Sequence, residues 1–170
     1  MKRLTLIRHG NADWKNAGVA DFDRPLNKRG TGEAEAIGKL LLEQELVPDL
    51  LLASSARRTQ QTSEIVARKL ELAARRIKLT ENLYLAQCED ILAFVRATSP
   101  RVQHLAIVGH NPGISELAKF LAPKDASINE LTTGAACTLT FAARSWSSLA
   151  PPAVRAVQYE PLSKLFSLFT

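Results

Sequence analysis

Two histidines and three arginines stand at three points where a short apolar run gives way to polar residues. Leu4-Thr5-Leu6-Ile7 runs into Arg8-His9-Gly10. Leu50-Leu51-Leu52-Ala53 runs into Ser54-Ser55-Ala56-Arg57-Arg58-Thr59. Leu105-Ala106-Ile107-Val108 runs into Gly109-His110-Asn111-Pro112-Gly113. A neutral imidazole can attack an electrophile near physiological pH, because its ordinary pKa is about 6.5. The planar fork of arginine donates two parallel hydrogen bonds and suits a tetrahedral oxyanion. Gly10, Gly109 and Gly113 lack a Cβ, so the backbone there can turn sharply or approach a ligand closely. Thr59 and the residues around Gly113 fall near predicted helix starts, where free backbone N–H groups favour an anion. The chemistry these groups share is the binding and transfer of phosphate.

Each feature has a plainer reading on its own. A single histidine at a strand end is more often a satisfied structural residue, and an arginine pair at a helix start is usually a solvated face. The chain has only three histidines. Two of them at such junctions, with arginines at two of the three, favour convergence on one site. His104 precedes its strand and is assigned a partly exposed structural position. Trp14 and Trp146 carry no functional signal in the sequence.

These residues need a scaffold that brings distant segments together, and the pattern supplies one. Residues 4–7, 50–53, 77–79 and 104–108 are short apolar runs that read as buried strands. Residues 28–45 form an amphipathic helix with Ala34, Ile37, Leu41 and Leu42 inward and Asn27 as N-cap. Gly30, Gly32 and Gly38 weaken it by roughly 1 kcal/mol each relative to alanine. Gly30 and Gly32 are read as close-approach positions. Further helices are predicted over 57–70 and 90–98 and around Ile114, Leu117, Ala118 and Leu121. Late strands are predicted over 136–141 and 153–159, and residues 11–26 form a long loop. Repeated strand–helix units give an α/β fold, a three-layer α/β/α sandwich with a mostly parallel central sheet. In such sheets ligands bind beyond the carboxyl ends of the strands, where the three junctions lie.

A length of 170 residues with 46% hydrophobic and 23% charged residues fits one compact domain over 1–170. Cys88 and Cys137 are far apart and form no C-x-x-C pair, so they read as apolar fillers rather than as a zinc site or disulfide framework. The apolar run after Met1-Lys2-Arg3 is too short for a signal peptide, and no stretch approaches a membrane span. A cytoplasmic protein without membrane contact is the default expectation. The net charge of +5 favours anionic partners. The basic residues are dispersed, without a polybasic block, so no nucleic-acid partner is expected. The oligomeric state is not set by the sequence.

The ordered set of junctions resembles the histidine phosphatase, or phosphoglycerate mutase-like, superfamily. Arg8-His9-Gly10 is similar to its first motif. Its second motif opens on Ser, with Arg four residues later and Thr four after that. Ser54, Arg58 and Thr62 match, which makes Arg58 rather than Arg57 the phosphate arginine. Val108 to Gly113 resembles the third motif, with His110 as the second histidine. That form, together with Asp23-Arg24-Pro25-Leu26 before Arg29-Gly30, looks most like the SixA phosphohistidine phosphatase branch. The resemblance implies catalytic roles for His9, Arg8, Arg58 and His110. It implies a phosphohistidine intermediate and a phosphorylated substrate such as a phosphohistidine protein, with neither metal nor cofactor. Gly10, Arg24, Asn16 and Asn111 are candidate substrate-binding residues. Arg24 either reaches the pocket mouth or belongs to a solvated network with Asp21 and Asp23.

No clear general acid stands out. Glu89 and Asp90 read as the acidic first turn of a helix, favoured there by its dipole, and Asp13 is a weaker candidate. A phosphohistidine substrate expels an imidazole, a less demanding leaving group than an alkoxide. The alternatives are a small-ester phosphatase using the same four residues and a phosphate- or phosphoprotein-binding module without turnover. A mutase would need insertions for which the chain has no room, and a two-metal hydrolase would need convergent carboxylates.

Overall fold

The computed structural model describes residues 1–161, so the end of the expected 1–170 domain lies outside the described residues. Six strands form one sheet: β1 (Lys2–Arg8), β2 (Leu50–Ser54), β3 (Ile77–Thr80), β4 (His104–Gly109), β5 (Ala136–Phe141) and β6 (Arg155–Tyr159). Their spatial order is β3-β2-β4-β1-β5-β6. The pairs β3–β2, β2–β4 and β4–β1 are parallel. The β5 strand joins β1 antiparallel, and β6 closes the edge antiparallel to β5. Four helices cover the sheet: α1 (Lys28–Glu43), α2 (Arg57–Lys69), α3 (Cys88–Arg96) and α4 (Gly113–Leu121).

Strand periodicity divides the apolar residues between two cores. Leu4, Leu6, Leu105 and Ile107 point to one face, where Ile91 and Val95 of α3 and Ile114 and Leu117 of α4 meet them. Ile7, Ala106 and Val108 point to the other, against Ile37 and Leu41 of α1 and Val66 of α2. Both faces are covered, which is why β4 is apolar from Leu105 to Val108 without alternation, while β1 carries one buried polar residue, Thr5, among Leu4, Leu6 and Ile7. The architecture is the predicted three-layer sandwich.

Most departures are at element ends. The β1 strand starts at Lys2 and takes in Arg8. Lys2 is 1% exposed, and its ammonium donates to the carbonyls of Pro100 and Val102 at 2.6 and 2.8 Å. His104 is buried as the first residue of β4, not partly exposed before it. Its Nε2 bonds Thr5 Oγ1 at 2.8 Å. The α1 helix stops at Glu43, and Glu45 has a φ of 56°. The α3 helix begins at Cys88 and ends at Arg96, two residues earlier at each end than predicted.

Close approach of backbones fixes the entrance to α1. A Cβ on Gly10 would run into the carbonyl of Gly30, and one on Gly30 into Asn11. The loop after β1 therefore lies directly on the start of α1. Asn27 caps that helix, accepting from the Gly30 N–H at 2.8 Å. Gly32 does not share this role, because a Cβ there would meet open space. Gly38 does approach closely: its Cβ would come within 2.9 Å of Lys69 Cβ on α2.

Candidate active site

The parallel register brings the functional groups together. Arg8 pairs with Gly109 across β1 and β4, so His9 and His110 leave adjacent strands at the same level. Their rings lie 5.1 Å apart. Ala53 pairs with Val108, which sets Ser54 beside the same strand end. Ser54 Oγ lies 2.9 Å from His110 Nε2. The first turn of α2 follows and projects Arg58 inward, 2% exposed. A hollow of about 360 Å3 results, lined by Arg8, His9, Arg58 and His110 with Asp21, Arg24 and Asn111. A larger hollow of about 450 Å3, around Leu50, Leu52, Arg75 and Phe94, holds no histidine.

The hydrogen bonds fix how His9 is presented. Its Nδ1 faces the Gly10 carbonyl at 2.7 Å. A carbonyl can only accept, so Nδ1 carries the proton. Arg58 Nε donates to His9 Nε2 at 3.4 Å, so Nε2 holds a lone pair toward the arginine side of the hollow. The pKa of His9 is pushed down to about 4, mainly by burial, with Arg58, Arg8 and Arg24 adding to the fall against the Gly10 bond. His9 is thus a neutral imidazole at cellular pH with its tautomer already set.

His110 is held similarly. Its Nδ1 meets Arg58 Nη2 at 3.3 Å, so it accepts there and Nε2–H is left to donate to Ser54 Oγ. Burial, then the charges of His9 and Arg58, lower its pKa to about 3. A bound dianion opposes that depression, and Nδ1 can take up a proton and donate to a phosphoryl oxygen. Arg8 spends one bond on the Leu131 carbonyl, Nη1 at 3.0 Å, while its buried Nε has no partner.

Buried neutral histidines have a consequence for stability. His104 joins the other two, lowered to about 4 chiefly by burial. An unfolded imidazole titrates near pH 6.5, roughly. Between that value and pH 4 the unfolded chain binds protons that the folded chain refuses, so stability rises with pH across this window and falls on acidification. The penalty becomes complete only below the folded values. The unfolding free energy is expected to drop by roughly 2 kcal/mol per histidine between pH 7 and pH 5. Denaturant titrations at the two pH values check this, with His104→Gln expected to remove one share. Equal stability at both values would contradict it.

The remaining candidates separate. Arg24 is buried rather than solvated; it lines the hollow, with Nε and Nη2 on Asp21 Oδ1 at 3.0 and 2.8 Å. Asn111 lines the hollow, its amide donating to the Leu131 carbonyl at 2.9 Å. Gly10 does not line it. Its carbonyl orients His9, and its N–H donates to Thr62 Oγ1 at 3.1 Å. Asn16 is exposed and lies outside the lining, in a turn where its carbonyl accepts from Val19. Glu89 and Asp90 sit in the first turn of α3. Among the described residues no cluster of three or more His, Cys, Asp or Glu could hold a metal ion, and no helix is long and apolar enough to cross a membrane.

Three residues take parts here beyond their sequence reading, which places Asp21 only in a loop network with Arg24 and Asp23 and gives Tyr84 and Glu33 no role. Asp21 accepts from Arg58 at 2.7 Å on its carbonyl and 3.1 Å on Oδ2, and from the Tyr84 hydroxyl. The Tyr84 bond, then Arg24 and Arg58, hold its carboxyl well below the usual carboxylate range. Tyr84 sets its ring edge-on to His110, centroids 5.5 Å apart, and burial followed by Asp21 raises its phenol pKa. Glu33, fully buried, accepts from Asn11 N–H, Arg29 Nε and Thr133 Oγ1 at 2.8, 2.9 and 3.0 Å and so ties α1 to the rim. The spacing Arg29 to Glu33 is a readable helical ion pair, but its burial is not.

The sequence model of the histidine phosphatase superfamily, branch 1, matches residues 4–119. The structure of a candidate phosphohistidine phosphatase SixA from Agrobacterium tumefaciens superposes with a TM-score of 0.78 at 29% identity, covering 92% of this chain and 97% of that one. The counterpart from Nakamurella multipartitia gives 0.80 at 25% identity, over 95% and 96%. An uncharacterized protein of Mycobacterium tuberculosis is 34% identical over 116 residues, 68% of this chain and 70% of the relative.

Proposed function

The chain belongs to the histidine phosphatase superfamily, and from that premise we propose that it hydrolyses phosphohistidine on a protein through a phosphoryl intermediate on His9. One observation carries the reading: His9 is a neutral imidazole, Nδ1–H anchored on the Gly10 carbonyl and Nε2 free of a proton among Arg8, Arg58 and His110. Nε2 attacks phosphorus in line as the bond from phosphorus to the substrate imidazole breaks, and that ring, protonated on its other nitrogen in the phosphohistidine, leaves as neutral imidazole. Arg8, Arg58 and protonated His110 hold the equatorial oxygens, where the charge of the transferring group resides. Water then attacks phosphorus, the bond to Nε2 breaks, His9 returns as neutral imidazole with its Nδ1–H kept, and the protons of the water pass to the phosphate.

The choice of substrate rests on the proton supply. Expulsion of an alkoxide needs a general acid. Asp21, the carboxylate in the hollow, is held ionised by Tyr84, Arg24 and Arg58. The proton of Tyr84 is committed to Asp21. With the proton of His110 engaged on a phosphoryl oxygen, no acid is left for the leaving group, and the hollow suits a phosphoramidate, whose imidazole, protonated on its other nitrogen, departs at neutral pH without a strong proton donor. The phosphohistidine phosphatase names of the similar structures point the same way.

The test is a comparison of phosphate release from a phosphohistidine-bearing protein and from alkyl phosphate esters. A preference for phosphohistidine of at least about a hundredfold in kcat/KM is expected, the share a missing general acid withholds from the ester. Faster turnover of the esters would favour a small-ester phosphatase. Binding of phosphate with neither substrate turned over would favour a binding module.

A further inference from the structure

We propose that Trp14 is a specificity-determining residue: its indole forms a stacking platform for the imidazole ring of the phosphohistidine. The inference rests on the substrate reading above.

Trp14 is 76% exposed, an unfavourable position for so large an apolar ring unless something is meant to cover it. It lines the mouth of the hollow that holds His9 and Arg58. Of the large apolar side chains exposed among the described residues, only Trp14 and Leu85 line this hollow.

The ring is positioned from below. The Arg24 guanidinium stacks on it, with Cζ 3.5 Å from the ring centroid, a cation–π contact that holds the indole flat. Arg24 is itself 8% exposed and fixed by three hydrogen bonds, two to Asp21 Oδ1 and one from Nη1 to the Asp13 carbonyl at 3.2 Å. One face of the indole is thus occupied by a buried, immobile cation. The rest of the ring is exposed, and it lines the same hollow as the phosphate-binding groups.

A ligand for this arrangement carries a phosphoryl group with a planar ring attached to it. Phosphohistidine has that form, since its phosphoryl group is bonded directly to an imidazole nitrogen. Offset stacking on indole is the favoured geometry for such a pair. Leu85, 54% exposed and on a separate segment, adds apolar surface for the chain that bears the histidine.

The test is the selectivity ratio: kcat/KM for a phosphohistidine-bearing protein divided by kcat/KM for phosphoramidate, which has the same P–N bond without a ring. Trp14→Ala is expected to lower this ratio by about tenfold, within the range for one aromatic pair, chiefly through KM. Trp14→Phe is expected to restore most of it. An unchanged ratio in Trp14→Ala would overturn the inference, whether both substrates fall together because Arg24 has shifted or neither changes. If the native protein does not turn over phosphohistidine, the substrate reading fails and this inference with it. If it does and the ratio holds, only the platform fails.

Discussion

Replacing His9 by alanine is expected to lower kcat by at least about 10^4-fold while leaving the fold intact. Removal of a covalent nucleophile produces losses of this order or larger, because the remaining groups have nothing to deliver to phosphorus. The site offers no substitute. His110 is the only other histidine lining the hollow, and its Nδ1 accepts from Arg58 while its Nε2 is directed at Ser54. Inorganic phosphate should still bind His9→Ala, since Arg8, Arg58 and His110 remain. Turnover would then be lost without loss of anion binding, and a phosphate-release assay with a binding measurement on the same sample separates the two. The result also distinguishes an enzyme from a binding module, which would be indifferent in turnover.

The second large effect is at Arg58. This side chain reaches three other residues of the site: His9 Nε2 through Nε, His110 Nδ1 through Nη2, and Asp21 through both terminal nitrogens. It lowers the pKa of His9 and of His110 by direct charge and donates to the transferring phosphoryl oxygens. Arg58→Ala is expected to cost about 10^3-fold in kcat, between the loss of one oxyanion donor and that of a transition-state arginine. Arg58→Lys keeps the charge but not the planar fork, and a point charge cannot bridge two imidazoles and a carboxylate. It should recover no more than about tenfold of the loss. Arg57→Ala is the control. Arg57 is exposed on the outer side of the same helical turn, and its loss is expected to leave kcat/KM within twofold, roughly the effect of a surface substitution. Similar losses at positions 57 and 58 would contradict the assignment.

The scaffold was readable where one physical rule dominated. Helices cover both faces of the sheet, so Leu105 to Val108 of β4 is an unbroken apolar run, and Leu4 to Ile7 of β1 departs from that only at Thr5. The convergence of Arg8, His9, Arg58 and His110 followed from the placement of ligands at the carboxyl ends of parallel strands. What the sequence withheld depends on where long or looping segments travel. Asp21 and Trp14 reach the hollow from the segment after β1, Tyr84 stands beside His110 from the segment before α3, and nothing in their spacing reveals that Tyr84 will meet Asp21 across 63 residues. Lys2 was unreadable for a different reason: a lysine at a strand start is as a rule solvated, whereas here carbonyls of the segment before β4 solvate it. The glycines of α1 divide similarly. Gly30 and Gly38 both make close approaches, one to the loop after β1 and the other to α2. Gly32 faces solvent, and only tertiary packing tells these positions apart.

The central claim is that phosphorus becomes covalently attached to His9 during turnover, at the nitrogen not engaged by Gly10. Rapid acid-free quenching of the protein with a phosphorus-labelled phosphohistidine substrate, followed by mass spectrometry and phosphorus NMR, measures this directly. The expected result is an acid-labile phosphoryl group on Nε2 of His9, formed and lost at least as fast as kcat and absent from His9→Ala. Phosphate release at the full rate with no label on His9, or with the label on His110, would contradict it.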